Sequence, residues 1–173
     1  MKLTAIQTSE LDPYYKVYIN KVNAKRELIE ALSLGQMETL EFFKGLTQSQ
    51  WDLSYDTGKW TPKEVLLHLI DTERIFSYRA LRFARKDTTP LSGFDQDHYV
   101  AVSAARSRDS QSLIAEYTAV RDSSIALFKS FDAQRLAKIG TASGGPFSTR
   151  ALGFIIAGHE IHHIEIIKER YLS

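Results

Sequence analysis

The stretch TPKEVLLHLIDTERIFSYRALRFARK, residues 61–86, carries the start signals of a long helix. Thr61 suits the N-cap, Pro62 the first helical position, and Glu64 completes a capping box. Trp60 and Val65 occupy hydrophobic-staple positions. The segment after this helix decides the fold class. The connection DTTPLSGFDQDHYVAVSAARSRD runs from 87 to 109, far longer than the usual helix–helix connection of about 2–8 residues. A tight hairpin is therefore not expected, and the length suits a crossover along a bundle.

Other helices are expected on both sides of this one. From about Lys25 to Leu46 apolar residues recur at Ile29, Leu32, Leu40, Phe43 and Leu46, an amphipathic period. Gln36 and Thr39 interrupt that stripe, with Gly35 beside them. Two readings stand here: Gly35 relieves a helix–helix contact and the polar pair is partly exposed, or the core turns polar at this level. A third helix is expected over about Ser110–Phe131, with Leu113, Tyr117, Val120, Leu127 and Phe131 in its seam and Ser124 among them. GTASGG (140–145) is turn-like. Ser148 can then cap a last helix, stapled by Phe147 and Leu152. Residues 12–19 read as a short helix or turn. Four long helices and no convincing strand predict an all-α four-helix bundle, one domain over 1–173, with its long crossover between helices 2 and 3.

The last helix contains AGHEIHHIEIIKERYLS (157–173). His159-Glu160-Ile161-His162-His163 satisfies H-E-x-x-H, the pattern of zinc peptidases. Such a peptidase takes its third ligand from further along the chain, and the ten residues after His163 hold no histidine. Glu165 faces away from His163. On a helix His159 and His163 share a face and could chelate one ion, as His159 and His162 nearly could. His162 and His163 diverge by about 100°. Ile155, Ile156, Ile166 and Ile167 lie on the face of His159 and His163, which points it inward. Buried neutral imidazoles need partners, and a metal would satisfy both. The third ligand must come from upstream. His68, flanked by leucines in mid-helix, is the natural choice, while His98 in the crossover is expected to be exposed. Asp71 and Thr72, at i+3 and i+4 from His68, are candidates to support the ligands or line the pocket, together with Gln36. Asp71 has a salt bridge to Arg74 as its alternative. Glu160 is expected in a surface or interhelix pairing role, and Arg79 in a structural ion pair. Asp95, Asp97 and Tyr99 are candidates to close a pocket mouth.

Composition narrows the chemistry. There are no cysteines, so thiolate ligands, disulfides and a cysteine nucleophile are excluded. Any metal is held by nitrogen or oxygen, and imidazoles favour zinc, nickel, iron or cobalt over calcium or magnesium. The formal net charge is +1, from 22 basic and 21 acidic side chains. No basic run interleaves with aromatics, so no nucleic-acid partner is expected. The N-terminus has no apolar signal core, and no apolar run approaches about 18 residues. A cytoplasmic protein without membrane contact is expected.

Three stretches resemble the DinB/YfiT-like superfamily of metalloenzymes, in particular its DinB-like members. GKWTPKEVLLHLIDTERIFSYRALRFARKD (58–87) resembles the family's second helix with its single ligand histidine. GFDQDHYV (93–100) resembles the loop after it, and STRALGFIIAGHEIHHIEIIKERYL (148–172) the last helix with its H-x-x-H-H ending. YYKVYINKV near the start also fits. The resemblance implies a four-helix bundle that holds a divalent metal, zinc or nickel first, on His68, His159 and His163, with His162 not a ligand. It implies a metal-dependent transferase or hydrolase with a small-molecule substrate, the transferase drawing on a low-molecular-weight thiol as cosubstrate, and a homodimer. The alternative is a non-catalytic stress-related protein with a structural metal or none.

Overall fold

The computed structural model describes residues 1–172. Four long helices form the body: α2 (Leu28–Lys44), α4 (Pro62–Ala84), α6 (Ser110–Lys129) and α8 (Thr149–Arg170). Short helices connect them: α1 (Lys16–Ile19), α3 (Gln48–Trp51), α5 (Gln96–Val102) and α7 (Ala133–Leu136). Both α2 and α4 pack against α6 and against α8, so the cyclic order is α2–α6–α4–α8. Helix α1 lies on α8.

The start of α4 is built as the sequence predicts. Thr61 accepts from the Glu64 backbone N–H at 3.3 Å, and Glu64 Oε2 accepts from the Thr61 backbone N–H at 2.7 Å. The second oxygen of Glu64 accepts from Arg106 Nε at 2.9 Å, which ties this helix end to the crossover. Thr61 is buried, so nothing from solvent replaces the cap. Thr61→Ala is expected to cost about 1 kcal/mol and to lower the melting temperature by roughly 2–4 °C for a chain of this size. A thermal melt checks this, and an unchanged midpoint would show the cap to be redundant.

The apolar interior is divided. One cluster gathers Leu28, Leu32, Phe76, Phe83, Phe128, Phe147, Phe154 and Ile155. The other gathers Phe43, Trp51, Leu66, Ile70, Leu113, Tyr117, Ile164 and Ile167. Each long helix contributes to both, and on each the switch falls at polar residues: Thr39 on α2, Thr72 and Glu73 on α4, Arg121 on α6, and His159 and Glu160 on α8. A polar belt therefore crosses the middle of the bundle. Full burial of each large apolar side chain above and below it contributes about 1.5–3 kcal/mol, enough to hold buried charge between them.

Two expectations need correction. The first is the absence of strands. β1 (Ile139–Ala142) and β2 (Gly145–Ser148) form an antiparallel hairpin with Ala142 opposite Gly145. Its two-residue turn puts Ser143 at φ 51° and Gly144 at φ 81°. Positive φ at both central residues is the hairpin turn that matches strand twist. The strands are four residues each and rich in glycine, so they carry no usable alternation. The hairpin matters because both its edges are used. Leu11 pairs with Phe147 on one side, and Leu91 with Ala142 on the other.

The second correction concerns Arg79. It is buried and makes no ion pair among the described residues. Its Nη2 donates to the Ser92 carbonyl and to Ser143 Oγ, both at 2.9 Å. It thus fastens the crossover to the hairpin, beside the backbone bonds from Leu91 N–H to Thr141 O (2.9 Å) and from Ser143 N–H to Leu91 O (3.0 Å). From that anchor the chain enters α5, capped by Asp95, which accepts from the N–H groups of Asp97 and His98 at 3.0 Å. Among the described residues no helix is long and apolar enough to cross a membrane.

Candidate metal centre

His68 reaches the belt from α4, and His159 and His163 from successive turns of α8. Their Nε2 atoms converge: His68 to His159 is 3.2 Å and His163 to His159 is 3.0 Å. One ligand atom from each of the three lies within 4.8 Å of the others, and among the described residues no Asp or Glu joins the group. Nitrogens bound at about 2.0–2.1 Å to one ion sit roughly 3.3 Å apart in a tetrahedron and about 3 Å apart at right angles. The observed spacing fits such an ion.

Electrostatics agrees with the geometry. Burial pushes the His68 imidazole down to about 4. Burial, then the charges of His68 and His162, pushes His163 down to about 3. His159 is held well below its ordinary value by burial and then by His163, His68 and His162. At neutral pH all three rings are therefore neutral and present lone pairs. With each proton on Nδ1, the Nε2 lone pairs face one another and are free to bind a cation.

The rings are fixed from outside. Trp60 lies tilted against His68 with centroids 4.9 Å apart, and Tyr18 meets His159 edge-on at 4.9 Å. Thr72 Oγ1 is 3.5 Å from His68 Nδ1, at the outer limit of a hydrogen bond. The other two pocket candidates are not brought to the cluster. Asp71 turns to Arg74 at 3.5 Å. Gln36 lies on the bundle edge and donates to Asp122 at 2.7 Å. His98 is exposed on α5. His162 packs against Tyr18 at 5.2 Å, outside the converging group.

A cleft of about 630 Å³ opens beside His163. Tyr55, Trp60, Tyr171, Val65, Val100 and Ile166 supply its apolar walls, and Lys59, Glu64, Arg106 and Asp97 its charges. Of the three crossover residues considered for the mouth, Asp97 lines it; Val100 and Ala101 of α5 line it too. The volume is that of an ordinary small-molecule site.

The belt holds one more constellation, which sequence reasoning sees only in part. Arg121 of α6 uses all five of its N–H donors. Nε and Nη2 grip the two oxygens of Glu73 on α4 at 2.8 and 2.9 Å. Nη1 and Nη2 grip the two oxygens of Glu160 on α8 at 3.0 and 2.8 Å, and Nη1 also reaches the Leu32 carbonyl of α2 at 3.0 Å. One guanidinium thus touches all four long helices. Glu160 further accepts from Tyr117 (2.7 Å) and Thr39 (3.1 Å). Burial pushes the Glu160 carboxyl up from its ordinary value, against the pull of Arg121. Every hydrogen-bonding neighbour of its oxygens is a donor, so the site accommodates the carboxylate. The interhelix role expected for Glu160 is what the fold shows. Sequence reasoning misses Arg121. Its signal is a charge at the centre of the stripe Leu113, Tyr117, Ser124, Phe128, all buried.

No curated protein matches the chain significantly. Among solved structures, YfiT from Bacillus subtilis, described as a probable metal-dependent hydrolase with an unusual four-helix bundle topology, shares the fold. The TM-score is 0.71 at 20% sequence identity, covering 83% of this chain and 85% of that one. A sequence model of the DinB superfamily matches residues 31–167, which include all three converging histidines, and the chain belongs to that superfamily.

Proposed function

We propose that the protein is a cytoplasmic, single-domain, metal-dependent enzyme that acts on a small molecule in the cleft beside His163. It is a hydrolase or an S-transferase drawing on a low-molecular-weight thiol. His68, His159 and His163 hold the ion, zinc or nickel. The observation that carries this reading is the meeting of three imidazoles, with His159 Nε2 3.2 Å from that of His68 and 3.0 Å from that of His163, next to an open cleft. Three such ligands leave a divalent ion its full charge and an open position, and so supply a Lewis acid that lowers the pKa of a water or thiol brought to it.

The chain's own groups do the rest. Thr72 and Trp60 keep the His68 ring in place. Tyr55, Trp60 and Tyr171 offer flat apolar faces to a substrate body, and Lys59, Arg106 and Asp97 offer charge at the mouth. No nucleic acid is involved, and two copies associate through outer helix faces.

Elemental analysis of protein purified without chelator or nickel resin tests the reading. About one transition-metal ion per chain is expected, and His159→Ala should bring the content down by more than roughly tenfold. At zinc 100 times above its Kd the wild-type fold should gain about 2.7 kcal/mol; the variant should gain nothing. Equal trace metal in both proteins would sink the proposal. Stoichiometric metal in a sphere of four protein ligands, seen by X-ray absorption, would favour a structural role over catalysis.

A further inference from the structure

Beside His159 lies a small cavity of about 10 Å³. It is bounded by Thr72, Glu73, Arg121, His159 and Glu160, with apolar walls from Leu69, Phe76 and Ile156. That is room for a single water molecule, and the polar lining offers it the two to four partners a buried water needs. His159 of the histidine cluster and Glu73, Arg121 and Glu160 of the second constellation all line this cavity.

Two features of the Arg121 constellation are unexplained by packing alone. The first is its charge. Glu73, Arg121 and Glu160 are each about 1–3% exposed, and their formal charges sum to −1. A buried carboxylate in excess is costly unless a cation lies near. The second is spare capacity. Glu160 receives four donors. Among the described residues Glu73 receives only the two from Arg121, one on each oxygen. Each Glu73 oxygen keeps an acceptor site, and the residue lines the cavity. On the other wall, His159 turns Nε2 to His68 and His163; with an ion held at Nε2, Nδ1–H is its one donor.

We propose that Glu73 is a positioning residue for the metal centre: through one water in this cavity it takes up the N–H of His159, and with Arg121 and Glu160 it sets a net negative charge behind a divalent ion. The inference rests on the metal-centre reading of the three histidines. Metal-bound imidazoles are commonly oriented by a carboxylate, directly or through water, and lose affinity without it. Here the carboxylate is also clamped by Arg121, so its position is fixed before any ion binds.

Zinc affinity of Glu73→Gln, measured by competition with a chromophoric chelator, tests the proposal. Affinity should fall about 10–100-fold, and Glu73→Asp, which keeps the charge, should recover part of the loss. The metal-free variant should lose less stability than its zinc affinity would suggest, because it sheds an uncompensated charge. A purely structural role gives the opposite pattern: a lower metal-free melting temperature with wild-type affinity, and that result overturns the proposal. Glu160→Gln removes the same charge from the other arm and serves if Glu73→Gln does not fold. The unaltered protein gives a third readout. None of its three histidine ligands carries a carboxylate, so the zinc-minus-metal-free infrared difference spectrum should show displaced carboxylate bands. Their absence would overturn the proposal whatever the variants do. If wild-type protein binds no zinc, both this inference and the proposed function fail. If it binds zinc and the two glutamine variants match it within about twofold, against the tenfold or more expected, only this inference fails.

Discussion

Arg121→Met is expected to leave a chain that is at best marginally folded. The guanidinium is 1% exposed and gives all five donors to Glu73, Glu160 and the Leu32 carbonyl. Methionine fills much of the same space but returns none of those bonds. Two carboxylates are then left facing each other in a closed interior. Breaking a buried pair by removing one partner costs about 3–5 kcal/mol, and here one substitution breaks two bidentate pairs. A domain of this size holds only about 5–15 kcal/mol in total. Urea unfolding followed by circular dichroism should show the midpoint collapse. Arg121→Lys should fall between, because an ammonium is a point charge and cannot fork to two carboxylates. A loss below about 1 kcal/mol would mean that the carboxylates find water or protons at little cost, contrary to their burial.

The contrast between Arg121 and the histidines explains what the sequence discloses. His159 and His163 are four apart on one helix, so their meeting is a local fact of helical geometry, legible without the fold. The start of α4 is local too: Thr61, Pro62 and Glu64 lie within four residues and satisfy one another. His68 needs one step more, the assumption that an inward histidine on a neighbouring helix meets the pair, and the folded chain does bring the three together. Arg121 is different. Its partners come from α2, α4 and α8, and nothing near it in sequence announces them. Reading the seam of α6 through Val120 and Leu127 rotates the buried face away from Arg121. Both of those residues are only half-buried, while Arg121, Ile125 and Phe128 point inward. A charge reads as a mark of the surface because most charges lie there.

The crossover and hairpin are illegible for another reason. Their order depends on tertiary anchoring. Leu91 finds Ala142 across the molecule, and Arg79 joins Ser92 to Ser143. No periodicity records such contacts. Yet they fix where α5 begins, and so which side chains of the crossover reach the cleft.

Gly35→Ala is expected to go against its helix propensity. In an exposed helix interior the change would stabilise by about 1 kcal/mol. Here α2 passes so close to α8 that a Cβ at Gly35 would collide with Glu160 Oε1, and it would stand 3.6 Å from Arg121 Nη1. A flexible side-chain end can often move aside. Glu160 cannot do so freely, because Arg121, Tyr117 and Thr39 all hold its oxygens. The methyl must therefore push the helices apart, at about 1–3 kcal/mol for overpacking, or break a bond to a charged group, at about 1.5–3 kcal/mol. After the propensity gain the net loss is about 0–2 kcal/mol, up to roughly 8 °C in melting temperature at this chain length. Thermal melts of wild type, Gly35→Ala and the double variant Gly35→Ala/Glu160→Gln decide the cause. If the collision with a fixed carboxylate is responsible, the two substitutions will be strongly non-additive, since residues in one network couple by about 0.5–3 kcal/mol. Additive losses would place the cost in the backbone of α2. A stabilised Gly35→Ala would show that the polar belt yields where the hydrogen bonds say it is rigid. The two readings of the polar interruption in α2 each hold in part: Gly35 relieves the contact with α8 and Gln36 is partly exposed, as the first has it, while Thr39 is buried and donates to a carboxylate inside the bundle, as the second has it.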